Sequence, residues 1–310
     1  MMSLAKALGY NENDRLLIVN ADDYGLCHSV NESTQQLLKE EVISSATIMM
    51  PCAWARSGAL WSAQNPQYDV GVHFTFTSEW EPYSWGPVTS NADVSSLVNE
   101  EGYFYKDSLG FEQHAEAEHV KIELVNQIEK ALKLGMNPTH ADNHMGSLYG
   151  LRTGKHFMVE VLDVCAAYGL PFRLPRYITI EEGQVAPPEM KEQVQAIANL
   201  ADSKGVVILD YLIGLPFQLE DGQTYDSFKT NMKDLLGVLK PGVTELIIHP
   251  SLLTEEFQAF HREPAKRNME HDIFRDPEIM NVLKDAGIKL IHWRELQKLQ
   301  QERTNKSNSL

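Results

Sequence analysis

Two adjacent carboxylates, Asp22 and Asp23, are the first residues in the chain whose type and position indicate chemistry. They come shortly after the apolar segment 16–19, which predicts a fully buried strand, and before Gly25, which permits a sharp turn. Parallel α/β folds place their functional residues at such strand ends. Because two negative charges that face into a fold need a cation or a proton, the pair indicates a site. The alternative is a turn in which both carboxylates are solvated.

Histidines mark two later strand ends. His73 lies in a predicted strand between the small residues Gly71 and Thr75, on the face opposite the bulky apolar positions. His249 ends the predicted strand 245–249, directly before a proline. In a parallel barrel the ends of successive strands converge on one face, so we expect both histidines to approach the two carboxylates.

A third group, His140, Asp142 and His144, is spaced at intervals of two residues. In extended chain this spacing points all three side chains the same way. One aspartate and two histidines around an ion is a common arrangement for a hydrolytic metal that keeps positions open for water and substrate. Imidazole ligands suit Zn, Co, Ni or Fe, whereas a carboxylate and waters also allow Mg or Mn.

The elements that position these residues alternate between strand and helix, which implies parallel pairing with helices outside. The sequence predicts seven or eight strands, at about 16–20, 44–50, 68–77, 139–144, 171–174, 206–209, 245–249 and 288–291. It predicts helices at about 29–41, 54–64, 114–134, 153–168, 187–203 and 226–239, and from 277 up to Gly287. We expect Ser29 to cap the first of these helices, with Glu32 as its capping-box partner. Segments 1–14 and 297–310 are polar and are expected to be loose or frayed.

This order predicts one domain over residues 1–310, with a barrel-like parallel sheet and a core at about 15–296. An aromatic-rich segment, 78–112, interrupts the alternation directly after the third predicted strand. It should lie over the carboxyl ends of the strands, because it leaves the sheet there. A long loop of this kind is either a lid whose aromatic rings stack on sugars or a satellite core packed on itself.

Composition narrows the range of partners. The chain has 310 residues and a net charge of −16, which argues against a nucleic acid or an anionic membrane as partner. This charge is compatible with a neutral substrate, such as a sugar, or with a cationic one. No signal peptide and no membrane-spanning run is evident. The three cysteines form no zinc or disulfide pattern, so we expect a reducing cytoplasm.

Four segments, which occur in the family's order over residues 16–251, resemble the YdjC/ChbG-like carbohydrate deacetylases. They are Asn20-Ala21-Asp22-Asp23-Tyr24-Gly25, Gly71-Val72-His73-Phe74, Thr139-His140-Ala141-Asp142-Asn143-His144 and Glu245-Leu246-Ile247-Ile248-His249-Pro250-Ser251. Segment 287–296 also resembles the family's last strand and helix. The resemblance implies a distorted, TIM-like (β/α) barrel, one divalent metal ion and removal of an N-acetyl group from amino sugars such as chito-oligosaccharides.

The resemblance also implies roles for individual residues. Asp23, His73 and His144 would hold the metal, with Mg or Zn as the leading candidates. Asp22 would be the general base and His249 the general acid. The chain departs from the family after His144, where segment 145–150 replaces a run of histidines. This change alters the wall beside the metal and puts specificity for chito-oligosaccharides in question.

Three further residues are candidates for supporting the site or contacting the substrate: His140, Asp142 and Arg173. Asp142 would hold a histidine tautomer, or else be a loop aspartate in an Asx-turn. Arg173, beside a strand end, would orient Asp22, or else form a surface salt bridge.

Two other functional classes remain open from the sequence. One is a metal-dependent hydrolase or isomerase of another small molecule on the same barrel. Sugar isomerases, however, usually use more carboxylate ligands than this chain offers. The other is a non-catalytic sugar- or metal-binding module, against which the presence of both a candidate base and a candidate acid argues. A homodimer is the expectation for assembly.

Overall fold

The computed structural model describes residues 2–178 and 187–307. Within these residues lie nine strands: β1 (Arg15–Tyr24), β2 (Ser45–Ile48), β3 (Asp69–Phe74), β4 (Ala141–Asn143), β5 (Phe172–Pro175), β6 (Ile208–Leu209), β7 (Tyr211–Gly214), β8 (Gly242–Ile248) and β9 (Ile288–Leu290). The α-helices are α1 (Leu4–Ala7), α2 (His28–Lys39), α3 (Ala55–Gln64), α4 (Ser108–His114), α5 (Ala117–Lys133), α6 (Met158–Tyr168), α7 (Pro188–Ser203), α8 (Tyr225–Gly237), α9 (Glu255–Phe260), α10 (Pro264–Ile273), α11 (Pro277–Asp285) and α12 (Trp293–Ser307). Two 3₁₀ helices span Ser95–Leu97 and His144–Tyr149.

The named strands form one parallel sheet in the order β6-β5-β4-β3-β2-β1-β8-β7. β9 pairs with the first residues of β1, below the segment of β1 that pairs with β2. The two edge strands, β6 and β7, are consecutive in the chain and are separated by Asp210. One extended segment therefore pairs with β5 at one end of the strand order and with β8 at the other. The sheet is thereby a nearly closed barrel with helices around it, which confirms the predicted α/β barrel fold.

The barrel interior has an apolar lower layer and a polar upper layer. Near the start of β1, an apolar cluster fills the barrel; its buried members are Ala5, Leu16, Ile18, Val207, Leu209, Val243, Ile291, Trp293 and Leu296. Above it, nearer the carboxyl ends of the strands, lie the buried polar residues Asn20, Asp22, Thr47, His73, His140, Asp142, Arg173 and Glu245. Because buried polar and charged groups are costly unless they are paired, this upper layer has to be a hydrogen-bonded network.

The expected cap of the first long helix is wrong. Helix α2 begins after Cys27, which makes no side-chain capping hydrogen bond. The Oγ of Ser29 instead lies 2.6 Å from Oγ1 of Thr254 and donates to Glu256 at 3.2 Å. Ser29 therefore connects α2 to the start of α9, a contact between residues far apart in the sequence that a local capping motif could not indicate.

Within the described residues, both terminal segments contain helical structure. Segment 297–310 was expected to be frayed, but α12 continues to residue 307 and Gln300 is buried, while residues 308–310 lie outside the described residues. The side-chain oxygen of Gln300 accepts a hydrogen bond from the backbone of Val207 at 2.8 Å. The amino-terminal segment likewise contains α1, whose Ala5 is buried in the lower layer. Because each of these helices buries only a few positions among polar, exposed residues, its apolar periodicity was not evident in the sequence.

Several predicted boundaries also differ from the structure. The expected helix over 114–134 is two helices, α4 and α5, and the expected helix over 153–168 starts only at residue 158. Helices α9 and α10 and strand β7 were not predicted. In the chain, β7 follows β6, α9 follows β8 and α10 follows α9.

The insertion 78–112 packs on the barrel through aromatic side chains. Trp85, Phe104 and Phe111 are buried, and the rings of Phe104 and Phe111 lie 5.9 and 5.2 Å from that of Phe76. Trp85 donates its indole N–H to the backbone oxygen of Thr77 at 2.9 Å. These contacts fix the insertion where it leaves β3.

Neither a disulfide nor a helix suited to crossing a membrane is found in the described residues. All three cysteines are buried and free of disulfides. Across residues 2–178 and 187–307, no helix combines the length and the apolar character that crossing a bilayer requires.

Replacing Gly71 with alanine should destabilise the barrel, because β3 passes very close to His140. A Cβ at Gly71 would lie 2.6 Å from the backbone oxygen of His140 and 2.7 Å from its ring. We expect a loss of ~1–3 kcal/mol, the usual cost of overpacking, measured by urea unfolding. Gly237→Ala is the matched control, since nothing lies within 4 Å of a Cβ there. Equal stability of the two variants would contradict the prediction.

Candidate active site

An irregularity at the end of β1 turns both adjacent carboxylates toward the barrel mouth. The pairing of β1 with β2 shifts register between Ala21 and Tyr24, and Asp23 adopts a left-handed φ of 63°. Strict alternation would point Asp22 and Asp23 to opposite faces of the sheet. Instead, both line one cavity, with side chains only 4% and 2% exposed. The alternative of a solvated turn is therefore wrong.

Asp23, His73 and His144 converge on one point beside this cavity. Oδ1 of Asp23 lies 3.5 Å from Nε2 of His73 and 3.3 Å from Nδ1 of His144. One ligand atom from each of the three lies within 4.8 Å of the others. Two donors bound to a common tetrahedral ion at about 2.1 Å are themselves roughly 3.4 Å apart. The spacing of the carboxylate from both imidazoles therefore fits a shared metal ion.

The hydrogen bonding of Asp23 supports the same fit. Its Oδ2 accepts from Nη1 of Arg267 at 2.6 Å, whereas its buried Oδ1 has no hydrogen-bond partner among the described residues. A buried carboxylate oxygen without a partner is costly. The donor set of one carboxylate and two imidazoles is one that Zn²⁺, and with added waters Mg²⁺, can accept.

Each imidazole of this trio has a carboxylate behind it. Nδ1 of His73 lies 2.5 Å from Oδ1 of Asp142, whose other oxygen accepts from Thr47 at 2.8 Å. Nε2 of His144 lies 2.9 Å from Oε2 of Glu79. Asp142 is buried in β4, so the structure does not support its interpretation as a loop residue in an Asx-turn.

The surrounding carboxylates make the site attract positive charge. Burial lowers the pKa of His73, but Asp142 and Asp22 outweigh burial and raise that pKa to about 9. Burial likewise opposes protonation of His144, and the neighbouring Glu79 and Asp23 raise its pKa to about 10. Without a metal ion, the two rings therefore tend to hold protons. A divalent cation would supply the same positive charge.

Arg173 links three carboxylates below the cavity. Its guanidinium donates to both oxygens of Asp22, at 2.7 and 2.5 Å, lies 2.7 Å from Oδ2 of Asp142, and donates to Glu245. Glu245 also accepts from the indole N–H of Trp293 at 2.8 Å. Arg173 is buried, so the alternative of a surface salt bridge is wrong. Two of its hydrogen bonds engage both oxygens of Asp22.

Asp22 and His249 face each other across the site. Oδ2 of Asp22 lies 4.0 Å from Nε2 of His249. Burial raises the pKa of Asp22, but Arg173 and His73 outweigh it and lower that pKa, so the carboxylate is ionised. Burial and the charge of Arg267 lower the pKa of His249 to about 4, so its imidazole is neutral near pH 7.

His140 lies beneath the site and does not line the cavity. Its ring stacks on that of Trp293 at 4.6 Å, and its Nε2 lies 3.3 Å from Oδ1 of Asn20. Burial and the charge of Arg173 hold its pKa well below the usual value. The spacing of two residues therefore points His140, Asp142 and His144 the same way but at successive depths, so His140 can support the site and cannot contact substrate here.

The cavity has a volume of about 660 Å³, enough for a small ligand. Asp22, Asp23, His73, His144, Arg173 and His249 all line it. Phe217 stands at its mouth, 70% exposed, with its ring 5.3 Å from that of His249. The basic residues Lys266 and Arg267 of α10 form part of the wall.

Sequence reasoning missed four residues of this site: Glu79, Phe217, Glu245 and Arg267. Glu245 could have been predicted from the sequence, because it is a carboxylate in a predicted buried strand. It lies four residues before His249, so in a strand both side chains point to the same face. Glu79, Phe217 and Arg267 lie outside strands, in the insertion, a loop and α10. No local periodicity brings such residues to a strand end.

The fold and the cluster define a parallel α/β barrel with a candidate metal site at the carboxyl ends of its strands. The model of the YdjC-like protein family matches residues 16–285. The chain therefore belongs to the YdjC-like family, and the resemblance read from its motifs is confirmed.

Two curated relatives match nearly the whole chain. A carbohydrate deacetylase of Thermus thermophilus is 32% identical over 294 residues, which cover 94% of this chain and 97% of that protein. A carbohydrate deacetylase of Thermoanaerobacter pseudethanolicus is 26% identical over 279 residues, which cover 90% and 98%. A chitooligosaccharide deacetylase of Yersinia enterocolitica is 31% identical over 180 residues, which cover only 56% of this chain and 64% of that protein.

A solved structure shares the fold. It comes from Enterococcus faecalis and is described as a candidate cellobiose-phosphate cleavage protein. It superposes with a TM-score of 0.71 at 23% identity and covers 91% of this chain and 99% of that chain.

Proposed function

We propose that this protein is a metal-dependent hydrolase that removes the N-acetyl group from an amino sugar or an acetylated oligosaccharide. The observation that carries the proposal is the unpartnered Oδ1 of Asp23, held between imidazole nitrogens at 3.5 and 3.3 Å. The full-length relatives named as carbohydrate deacetylases support the substrate class. We further propose that it acts in the cytoplasm, with a homodimer as the expected assembly.

Asp23, His73 and His144 would hold one divalent ion, with Mg and Zn as the leading candidates. Such an ion, when bound, polarises a carbonyl and lowers the pKa of a water molecule. Arg267 neutralises the other oxygen of Asp23 and so fixes the orientation of its carboxylate. Asp142 would fix the tautomer of His73 that presents Nε2 to the site.

Asp22 would accept the proton of the attacking water. Arg173 holds both of its oxygens, so the carboxylate is ionised and correctly aimed before substrate binds. Its lowered pKa also makes the protonated form short-lived, which favours transfer of the proton to a better base. Outside the three proposed metal ligands, the candidate is Nε2 of His249, at 4.0 Å. Distances between proton donors and acceptors often shorten when substrate binds.

His249 would deliver this proton to the leaving nitrogen. Because its pKa is lowered to about 4, the imidazole is neutral in the free protein and has to gain a proton before it can donate one. The relay from Asp22 to Nε2 supplies it. Water oxygen bonds to the acetyl carbon, the carbon–nitrogen bond breaks, and the protonated nitrogen leaves as the amine of the sugar.

Replacing His249 with alanine should impair turnover without weakening metal binding. We expect kcat to fall ~10²-fold, at the low end of the range for acid–base catalysis because water can enter the vacated space. The metal affinity should stay unchanged, since His249 is not among the three converging donors. Steady-state kinetics and a metal titration of the same preparation measure both effects. Turnover near that of the unaltered protein would remove His249 from the mechanism.

The cavity suits a small carbohydrate. The exposed ring of Phe217 offers a flat apolar surface at the mouth, next to His249, on which a sugar face could stack. Segment 145–150, which replaces the family's run of histidines, places Met145, Gly146 and Tyr149 in the wall. These residues would set which sugar units fit beside the acetylated one.

The decisive test is acetate release from N-acetylated sugars. The chelator-treated protein would be supplied with Mg²⁺ or Zn²⁺ and incubated with N-acetylglucosamine and its oligomers, and the released acetate would be quantified. We expect metal-dependent release, and its loss in Asp23→Asn. An inactive protein that nevertheless binds both metal and sugar would instead be a binding module. Turnover of other small molecules without acetate release would indicate a different hydrolase or an isomerase.

A further inference from the structure

Glu79 joins the insertion to the candidate metal site. It is the second residue of the insertion, and its side chain is 19% exposed at the cavity wall. Oε2 of Glu79 lies 2.9 Å from Nε2 of His144. Within residues 2–178 and 187–307, His144 is the one charged or chargeable partner at ion-pair distance from Glu79. Among these residues, Glu79 can therefore form an ion pair only with His144.

The contact determines which nitrogen His144 presents to the site. A carboxylate accepts a hydrogen bond, so Nε2 of His144 carries a proton, and in the neutral ring Nδ1 is the nitrogen that keeps a free lone pair. Nδ1 lies 3.3 Å from Oδ1 of Asp23. His73 shows the mirror arrangement, in which Nδ1 faces Asp142 and Nε2 faces Asp23. The two rings thus reach the same point through opposite nitrogens, and each orientation depends on a different carboxylate.

We propose that Glu79 is a positioning residue for the metal: it holds the tautomer and the ring orientation of His144 and couples the insertion to the bound ion. This inference rests on the metal site of the proposed function. A carboxylate behind a ligating histidine fixes the ring and raises the basicity of the ligand. Glu79 would contact neither metal nor substrate in this role.

The backbone that carries Glu79 is well placed to transmit this coupling. The preceding Ser78 donates its backbone N–H to Tyr105 at 2.9 Å, and its Oγ accepts from the backbone of Trp85 at 3.0 Å. Trp85 in turn packs its ring 6.2 Å from that of His144. Because binding and conformational order are linked reciprocally, an ion held through His144 should stabilise the start of the insertion, and loss of Glu79 should weaken ion binding.

The test compares Glu79→Gln with Glu81→Gln in the full chain. Glu81 lies two residues further on, is 74% exposed and pairs with Lys106 at the surface, so its substitution makes the same charge change without touching His144. Zn²⁺ affinity would be measured by competition with a chromophoric chelator. We expect Glu79→Gln to bind Zn²⁺ ~10–100-fold more weakly and Glu81→Gln to match the unaltered protein.

Hydrogen exchange supplies a second measurement. Zn²⁺ should slow amide exchange over residues 78–86 in the unaltered protein and in Glu81→Gln, and should do so far less in Glu79→Gln at matched occupancy. Glu79→Asp, which keeps a carboxylate on a shorter side chain, should recover part of the affinity. It also serves as the test variant if Glu79→Gln does not fold.

The outcomes separate this inference from the proposed function. Equal Zn²⁺ affinity of Glu79→Gln and Glu81→Gln, or no metal-dependent protection of residues 78–86 in the unaltered protein, would overturn the role of Glu79. A protein that binds Zn²⁺ with the expected dependence on Glu79 but releases no acetate would contradict the proposed function while supporting this one.

Discussion

Asp22→Asn should lower kcat by ~10³–10⁴-fold, the upper part of the range for a lost general base, while the metal stays bound. Asparagine keeps the size of the side chain and can still accept from Arg173 through its oxygen, but it cannot take up the proton of the attacking water. Metal affinity should change little, because Asp22 is not part of the trio of Asp23, His73 and His144. Acetate release and a Zn²⁺ titration measure the two quantities on the same sample.

Asp14→Asn is the control for the Asp22 variant. Asp14 is also an aspartate in an ion pair, with Lys289 at 2.6 Å, but this pair is partly exposed and lies directly before β1, away from the cavity. It should leave kcat unchanged. Near-normal turnover of Asp22→Asn would exclude Asp22 as the base, and a large loss of metal affinity would move it into the ligand set.

Arg173→Met should cause the largest loss of stability. The substitution removes the cation shared by Asp22, Asp142 and Glu245 and leaves three buried carboxylates without it. Breaking a buried pair by removing one partner typically costs ~3–5 kcal/mol, and here three partners are affected. Urea unfolding of the metal-free protein measures the change. The substitution should change the free energy of the unfolded state little, because the side chain at position 173 is solvated there in both proteins.

The control is Arg176→Met, three residues along the chain. Arg176 pairs with Asp202 at 2.7 Å in a partly exposed position, where such a pair contributes only about 0–1 kcal/mol. If Arg173→Met cannot be purified, Arg173→Lys keeps one charge but cannot reach three carboxylates at once, and it should show an intermediate loss. A loss for Arg173→Met no greater than that for Arg176→Met would contradict the prediction.

The sequence predicted the location of those site residues whose place in a strand follows from one short local pattern. Buried runs that lead into Asp22 and His249 placed these two residues at strand ends, and the alternation in the third predicted strand placed His73 on the face opposite its bulky apolar residues. The two-residue spacing of His140, Asp142 and His144 correctly predicted a shared direction. It did not predict how deep each side chain lies in the barrel: of the three, only His144 lines the cavity.

Other features depend on contacts between distant segments. The register shift that lets both Asp22 and Asp23 face inward arises from the pairing of β1 with β2 and has no local sequence signal apart from the following glycine. Glu79 and Arg267 reach the site from the insertion and from α10. A local reading of Ser29 favoured a cap, whereas the folded chain uses it to join α9.

The left-handed backbone of Asp23 has a consequence for how this barrel could be engineered. A non-glycine residue in that region costs free energy that glycine would avoid, and Asp23 is also a buried charge. Selection for thermal stability alone would therefore favour replacing Asp23, since glycine, which best suits this backbone conformation, lacks the carboxylate. A search for more stable variants of this protein should therefore leave the end of β1 unchanged, because a gain in stability there would come from removing the carboxylate on which the proposed function depends.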